Sequence, residues 1–368
     1  MKKVFSKLIL LTALVSISAC GQKPSKEPAS STKEEASSSI VTSSVISSDY
    51  KTSSSQAKTS SQEQLSTAEK SSSSAQAYKE DELYTEDGLS IKFKAQGASI
   101  DKITWNGKQI AKDGFVVGRC ANRIANGKFS IDGTQYSVSI NASPHSLHGG
   151  TGTGMNSWRG PFATKNWTKV EQTFSSITYK IHSADGENGY PGNMDMTVKY
   201  SLSQEGALSI EYSATSDKDT LCNPTNHLFI SPNGNNSYDN IKLMINADNY
   251  TPLNNQIPTG AISPVEGTQF DYREEKTFDK SKNYDDNYVL NGEGYRFAAS
   301  LTGSTSYLKI NVYTDRPGLQ LYKDGNGSIC LETQMFPDAI NHDNFESPIL
   351  RANETFYSKT VYEFLAIN

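Results

Sequence analysis

The sequence predicts an all-β protein, a large antiparallel β-sandwich over residues 78–368, and three observations carry that reading. Short runs alternate apolar and polar residues, as a strand with one buried face requires. Turn dipeptides separate them: Asp132-Gly133 divides "KFSIDGTQYSVSI", and Glu205-Gly206 divides "MDMTVKYSLSQEGALSIEYSA". No stretch keeps an amphipathic helical pattern for three turns, so nothing competes with the sheets.

The elements follow from the same signals in order. Asp87-Gly88 turns the chain into the alternating run at 89–95, and Asn106-Gly107 marks the next reversal. The Asp-Gly at 132–133 is the strongest short hairpin signal in the chain. The long paired runs around 205–206 predict two adjacent antiparallel strands. About 290 residues are ample for one large all-β core.

Residues ahead of this region read differently. Met1-Lys2-Lys3 and Lys7 are basic, 8–17 are apolar, and "ISAC" ends at Cys20. The apolar part falls short of the roughly 20 residues that span a bilayer, so 1–20 is expected to be an export signal. Small residues before Cys20 resemble a lipoprotein signal, with Cys20 carrying the lipid anchor; an ordinary signal peptide is the alternative. Residues 21–77 are Ser-rich, with mixed Lys and Glu and few large apolar groups, and are expected to be a disordered linker. The protein is thus expected to be exported and anchored to the cell membrane by lipid, facing outward.

Thirty-five Lys and Arg against 40 Asp and Glu leave a net charge of −5. That mildly acidic, mixed balance argues against nucleic acid as a partner. With Cys20 modified, Cys120, Cys222 and Cys330 remain, and an odd number points to buried free thiols rather than a disulfide framework.

His227 stands where "CNPTNHLFIS" turns from polar residues into an apolar run. A histidine fixed at the mouth of a core strand can act as acid or base near neutrality; a ring satisfied by nearby backbone is the alternative. Glu332 interrupts the apolar "SICLETQMF", and a carboxylate there is costly unless it is paired or serves a cleft. A buried ion pair with Arg119 or Arg123 is its structural alternative. His145 and His148 have His-x-x-His spacing, but no third ligand accompanies them, so no metal is expected. "DGENGYPG" (185–192) lacks an EF-hand pattern and reads as a structured turn. Asp285 and Asp286 fit either a solvated turn or a hydroxyl-binding carboxylate. Trp158, Tyr190 and Phe229 are candidates for the flat apolar surface that a sugar ring wants beside its polar contacts.

Seven segments in order, "GRCANRIANGKFSIDG", "LHGG", "DGENGYPGN", "NPTNHLFIS", "IPTGAISPVEGTQFDYR", "RPGLQLY" and "LETQMFPDAIN", resemble the aldose 1-epimerase (galactose mutarotase) family. The resemblance spans about Leu83 to Phe364. It implies the family's supersandwich with a sugar on a concave face, and no cofactor. By motif match, His227 resembles the general acid and Glu332 the general base. Asn122, Arg123, His148, Asp285 and Gln320 fall on sugar-binding positions, and Phe229 joins them as an aromatic surface. Asp286 stands where a histidine is often seen, which leaves Asp285 and Asp286 as alternatives. Leu228 replaces a usual small residue, with tuning of the pocket as the expected effect.

The expected activity is interconversion of the α and β anomers of free aldohexoses such as glucose and galactose. Three rivals remain: a glycosidase, which needs two carboxylates flanking the bond; a non-catalytic sugar-binding lipoprotein; and an epimerase of hexose 6-phosphates, which needs a cationic phosphate pocket.

Overall fold

The computed structural model describes residues 78–367; the expected signal, the Ser-rich linker and Cys20 lie outside them. The described chain forms two large antiparallel sheets. The first has ten strands in the order Glu82–Tyr84, Leu89–Lys94, Ser99–Trp105, Lys108–Val117, Thr225–Ile230, Ile329–Gln334, Gly318–Lys323, Asp285–Val289, Asn249–Tyr250 and Ser263–Pro264. The second has nine, centred on Leu308–Thr314, Thr355–Ala366, Ala207–Ser216 and Met194–Leu202. The turns expected at 87–88, 106–107, 132–133 and 205–206 each join paired strands. Among the described residues, the one α-helix is the four-residue Pro161–Thr164.

The alternating pattern determines what each sheet buries. Leu228, Ile230, Leu319, Leu321, Ile329 and Leu331 from the first sheet share one core with Val198, Ile210, Ile310, Val312, Tyr362 and Phe364 from the second. Burying a side chain of this size is worth roughly 1.5–3 kcal/mol. Polar ties cross the same interface: Tyr362 donates its hydroxyl to Leu331 O at 2.8 Å, and the hydroxyls of Thr333 and Thr360 meet at 2.6 Å. Leu228 therefore points into the core and away from any pocket, contrary to the tuning role expected of it.

Register then places the other face. His227 pairs with Phe115, Glu332 with Gln320, and Asp285 with Tyr322. Because side chains alternate, His227 and Phe229, Cys330 and Glu332, Gln320 and Tyr322, and Asp285 all leave the sheet on the side opposite the core. The register slips by one residue between His227 and Phe229 against Lys108–Val117. The extra residue lies near Asp113, at φ 51°, and Gly114. A Cβ on Gly114 would stand 2.7 Å from Leu228 Cδ1 and 2.8 Å from Asn226 Oδ1, so a larger residue at this bulge would displace the side chains that flank His227. Bulges commonly re-aim side chains beside functional sites, and this one lies against His227.

Cys120, Cys222 and Cys330 are buried free thiols, as their odd number suggested. Burial pushes the Cys120 thiol up to about 12, leaving it inert as a nucleophile at neutral pH.

Candidate functional site

A cavity of about 160 Å3 opens on the outer face of the ten-stranded sheet, lined by Asn122, Arg123, Leu147, His148, Trp158, His227, Asp285, Tyr322 and Glu332. It is smaller than the roughly 300–1,000 Å3 typical of drug-sized ligands, and suits one small ring. His227, Glu332, Tyr322 and Asp285 come from adjacent strands; the other side chains come from loops folded over them.

His227 is 3% exposed. Its ring lies nearly parallel to Phe115, centroids 5.0 Å apart at 19°, with Phe229 at 4.8 Å, Tyr322 at 5.6 Å, His148 at 5.7 Å and Trp158 at 6.2 Å. Five rings thus hold the imidazole in one plane. Its neighbour Asn226 fixes the backbone, donating to Gly114 O at 3.1 Å and to the Tyr200 hydroxyl at 3.3 Å. His227 Nε2 faces Glu332 Oε1 at 3.7 Å, while His227 Nδ1 and Glu332 Oε2 have no protein hydrogen-bond partner.

Burial sets the charge of this pair. It lowers His227 to about 4, with the Arg159 charge acting in the same direction and Asp324 opposing it. Burial also pushes Glu332 well above the usual carboxylate range; Asp285 adds to the rise and Arg123 opposes it. Burial thus favours the uncharged form of each group, a neutral imidazole beside a neutral carboxyl. Pairs whose environments push their titrations apart mark acid/base sites.

The loops provide hydrogen-bonding groups. His148 Nδ1 accepts from the Asn122 amide at 3.2 Å, which leaves the proton of the neutral ring on Nε2. Burial, with His227 and Arg123 nearby, holds His148 well below its ordinary range, so it stays neutral and donates. Two glycines permit that position: a Cβ on Gly160 would sit 1.9 Å from His148 O, and one on Gly149 2.1 Å from Gly118 O, both at positive φ. Arg123 Nη1 approaches Asp285 Oδ2 at 3.5 Å, and Gln320 Nε2 donates to Asp285 Oδ1 at 2.8 Å. Asp338 secures the Arg123 loop by donating its amide to Arg123 O and accepting from Ala125 N at 2.9 Å.

The structure separates the alternatives left open by the sequence. Asp285 lines the cavity. Asp286 lies on the opposite side of the strand, where it accepts the Asp285 amide at 3.0 Å, and burial raises it to about 6. Arg119 does not pair with Glu332. It is 1% exposed and donates to Ser183 O, Ala184 O, Pro191 O, Gly192 O, Ser183 Oγ and Thr220 Oγ1. "DGENGYPG" is thus the structured turn expected, wrapped around a guanidinium. Gln320 acts on the cavity through Asp285 and does not line it. Phe229 packs on His227 and lines the neighbouring hollow. Tyr190, offered as a sugar platform, is instead buried in a separate cluster with Phe129 and Leu221. The His-x-x-His pair diverges: His145 accepts from the Asn126 amide at 3.1 Å, while His148 faces the cavity. Among the described residues, no group of three or more His, Cys, Asp or Glu could hold a metal ion.

Tyr322, Phe115 and Leu147 were missed from sequence. Tyr322 was within reach, since it follows Gln320 by two residues on a strand and must share its face. Phe115 was not, because the bulge at Asp113 decides which side chain lies beneath His227.

The arrangement unites a buried imidazole and carboxyl facing each other, a neutral imidazole donor, an amide, a guanidinium–carboxylate pair and aromatic walls, which suits a small polyhydroxylated ring. A family model described as aldose 1-epimerase matches residues 82–363. Galactose mutarotase of Pongo abelii is 36% identical over 278 residues, 68% of this chain and 78% of that protein. Aldose 1-epimerase of Escherichia coli K12 is 33% identical over 290 residues, 70% of this chain and 81% of its own. Among solved structures, the GalM/aldose epimerase homologue from C. elegans is similar with TM-score 0.70 at 26% identity, covering 78% of this chain and 98% of that one.

Proposed function

The chain belongs to the aldose 1-epimerase family, and from that membership we propose that it interconverts the α and β anomers of free aldohexoses, glucose and galactose among them, with His227 and Glu332 as its acid/base pair. The observation that carries the reading is the 3.7 Å approach of His227 Nε2 to Glu332 Oε1 on the wall of a small cavity.

The reaction starts from the ionised form of the pair, the one that burial disfavours. A bound sugar meets the pair with the proton on His227 and a carboxylate on Glu332, an arrangement favoured by the Arg123 charge. Glu332 takes the proton of the anomeric O1 hydroxyl as His227 protonates the ring oxygen O5. The C1–O5 bond breaks, and O1 becomes the carbonyl oxygen of the open-chain aldehyde. Both groups are now neutral, the state that burial favours, so the cavity stabilises the side of the reaction on which the ring is open. Rotation about C1–C2 presents the other carbonyl face, and closure returns both protons. Each positioned proton transfer is typically worth 10²–10⁴-fold.

His148, Asn122, Arg123 and Asp285 bind hydroxyls in this reading, and Trp158 and Tyr322 supply apolar wall. The one carboxylate flanking Glu332 across the cavity, Asp285, is tied to Arg123 and Gln320, which argues against a glycosidase pair. Polarimetry of fresh α-D-glucose and α-D-galactose with the purified protein tests the activity: relaxation at the uncatalysed rate with both sugars would refute it. We also propose that Cys20 carries a lipid that holds the exported protein at the cell membrane. Cys20→Ser should move it from the membrane fraction to the soluble one; a variant exported yet still membrane-bound refutes the anchor.

A further inference from the structure

Arg159 stands one ring away from His227. Its guanidinium carbon lies 4.7 Å from the centroid of the Phe115 ring, and Phe115 in turn stacks on the His227 imidazole at 5.0 Å. Guanidinium and imidazole are therefore less than about 10 Å apart, with the Phe115 ring in contact with both. At that range and an effective protein dielectric of about 20, a unit charge still couples appreciably to a titrating group.

Arg159 is not consumed by a tight structural role. Its ion-pair partner among the described residues is Asp113, whose Oδ2 is 3.8 Å from Nη2, and Asp113 also takes Lys94 at 3.2 Å. Arg159 Nε is buried with no hydrogen-bond partner. The group is held instead over two rings, Phe115 and Trp158, the latter at 5.4 Å. Cation–π contacts of this kind keep a charge in place over a ring face.

We propose that Arg159 is a positioning residue for the acid/base pair: acting through Phe115, its charge keeps the shared proton on Glu332 until a sugar binds. The inference rests on the reading of His227 and Glu332 given above. It makes His227 a sharper acid, because a proton placed there by the sugar-bound state is repelled toward O5. The other groups facing His227 are accounted for. Glu332 on the neighbouring strand is its proton partner, and the neutral His148 meets it edge-on. Tyr322 is held un-ionised, raised chiefly by burial. Across the cavity Arg123 and Asp285 pair with each other. Asp324 opposes Arg159, but its Oδ1 is bound by the Asn326 and Ser328 amides and the Tyr238 hydroxyl.

The test follows the His227 ring by NMR titration in the full chain, together with the acid limb of the kcat/KM profile. Arg159→Gln should move both upward by about half a pH unit, and Arg159→Lys should leave both close to wild type. Asp113→Asn, which unmasks the guanidinium, should move both downward, and it serves as the readout if Arg159→Gln does not fold. A His227 titration unchanged in Arg159→Gln, or in Asp113→Asn where that stands in, overturns the proposal, as does an equal upward move in the glutamine and lysine variants. The NMR titration needs no turnover, so a protein without mutarotation but with the expected titration shifts would count against the proposed activity and not against the coupling.

Discussion

His227 Nε2 and Glu332 Oε1 stand 3.7 Å apart on neighbouring strands, with the two side chains 4% and 3% exposed. Two ionisable groups this close and this dry titrate as a unit. In the proposed mechanism the working form holds one proton, so activity should be lost in acid when a second proton adds and lost in base when the last one leaves.

The kcat/KM profile should therefore be a broad bell. Its acid limb should fall near pH 4, where burial has placed His227, well under the ordinary histidine value of about 6.5. Its alkaline limb belongs to Glu332 and should lie well above the usual carboxylate range. Initial rates by polarimetry from pH 3.5 upward check this; an acid limb at the ordinary histidine value contradicts it.

Stability should carry the same signature. His227 is lowered on folding, so the unfolded chain binds a proton there more tightly than the native one. Its contribution is intact above pH 6.5 and drains away as pH falls toward about 4, by up to about 3 kcal/mol. Glu332 is raised, so its contribution is intact below the ordinary glutamate value of about 4.3 and is lost as pH climbs toward its native titration. His227→Asn should flatten the fall in urea midpoint between pH 6.5 and 4. Glu332→Gln should gain on wild type as pH rises from about 4.3. Parallel midpoint curves for wild type and both variants would contradict the assignment of these shifts.

Arg119→Met should be among the most destabilising single changes, although it touches no cavity residue. Its guanidinium serves four carbonyls and two hydroxyls, all in buried surroundings except Ala184 O, and truncation leaves those buried acceptors unpaired. A loss of about 3–5 kcal/mol in urea unfolding is expected, with the native-state KM nearly unchanged.

Much of this was legible in the sequence because strands advertise themselves by period and turn. The pairs around Asp132-Gly133 and Glu205-Gly206 fall where alternation and turn chemistry put them. Glu332 stood out because it breaks an apolar run that packing alone would keep apolar, and His227 because it stands at the mouth of one. What stayed hidden depends on contacts between distant segments. Arg119 and Arg123 look interchangeable in "GRCANRI", yet one is swallowed by the 185–192 turn and the other reaches Asp285. Tyr190 belongs to a satellite core built by Phe129 and Leu221, which no local pattern announces. Phe115 owes its place under His227 to a one-residue bulge on its own strand. The motif resemblance pointed to the proposed chemistry; the register explains how the sheet brings these residues together.

The central claim is that His227 and Glu332 act as one unit, and comparing their single and double variants measures it most directly. Glu332→Gln keeps the shape without the base, and His227→Asn removes the acid while staying polar. Polarimetry should find each at least about 10²-fold down in turnover, and the double variant little worse than the poorer single, since groups serving one step are not additive. Calorimetry should find sugar binding largely kept in all three, whereas Arg123→Ala should chiefly weaken binding. Near-normal turnover in Glu332→Gln would contradict the account, leaving the carboxyl a buried structural group and the cavity a binding site without chemistry.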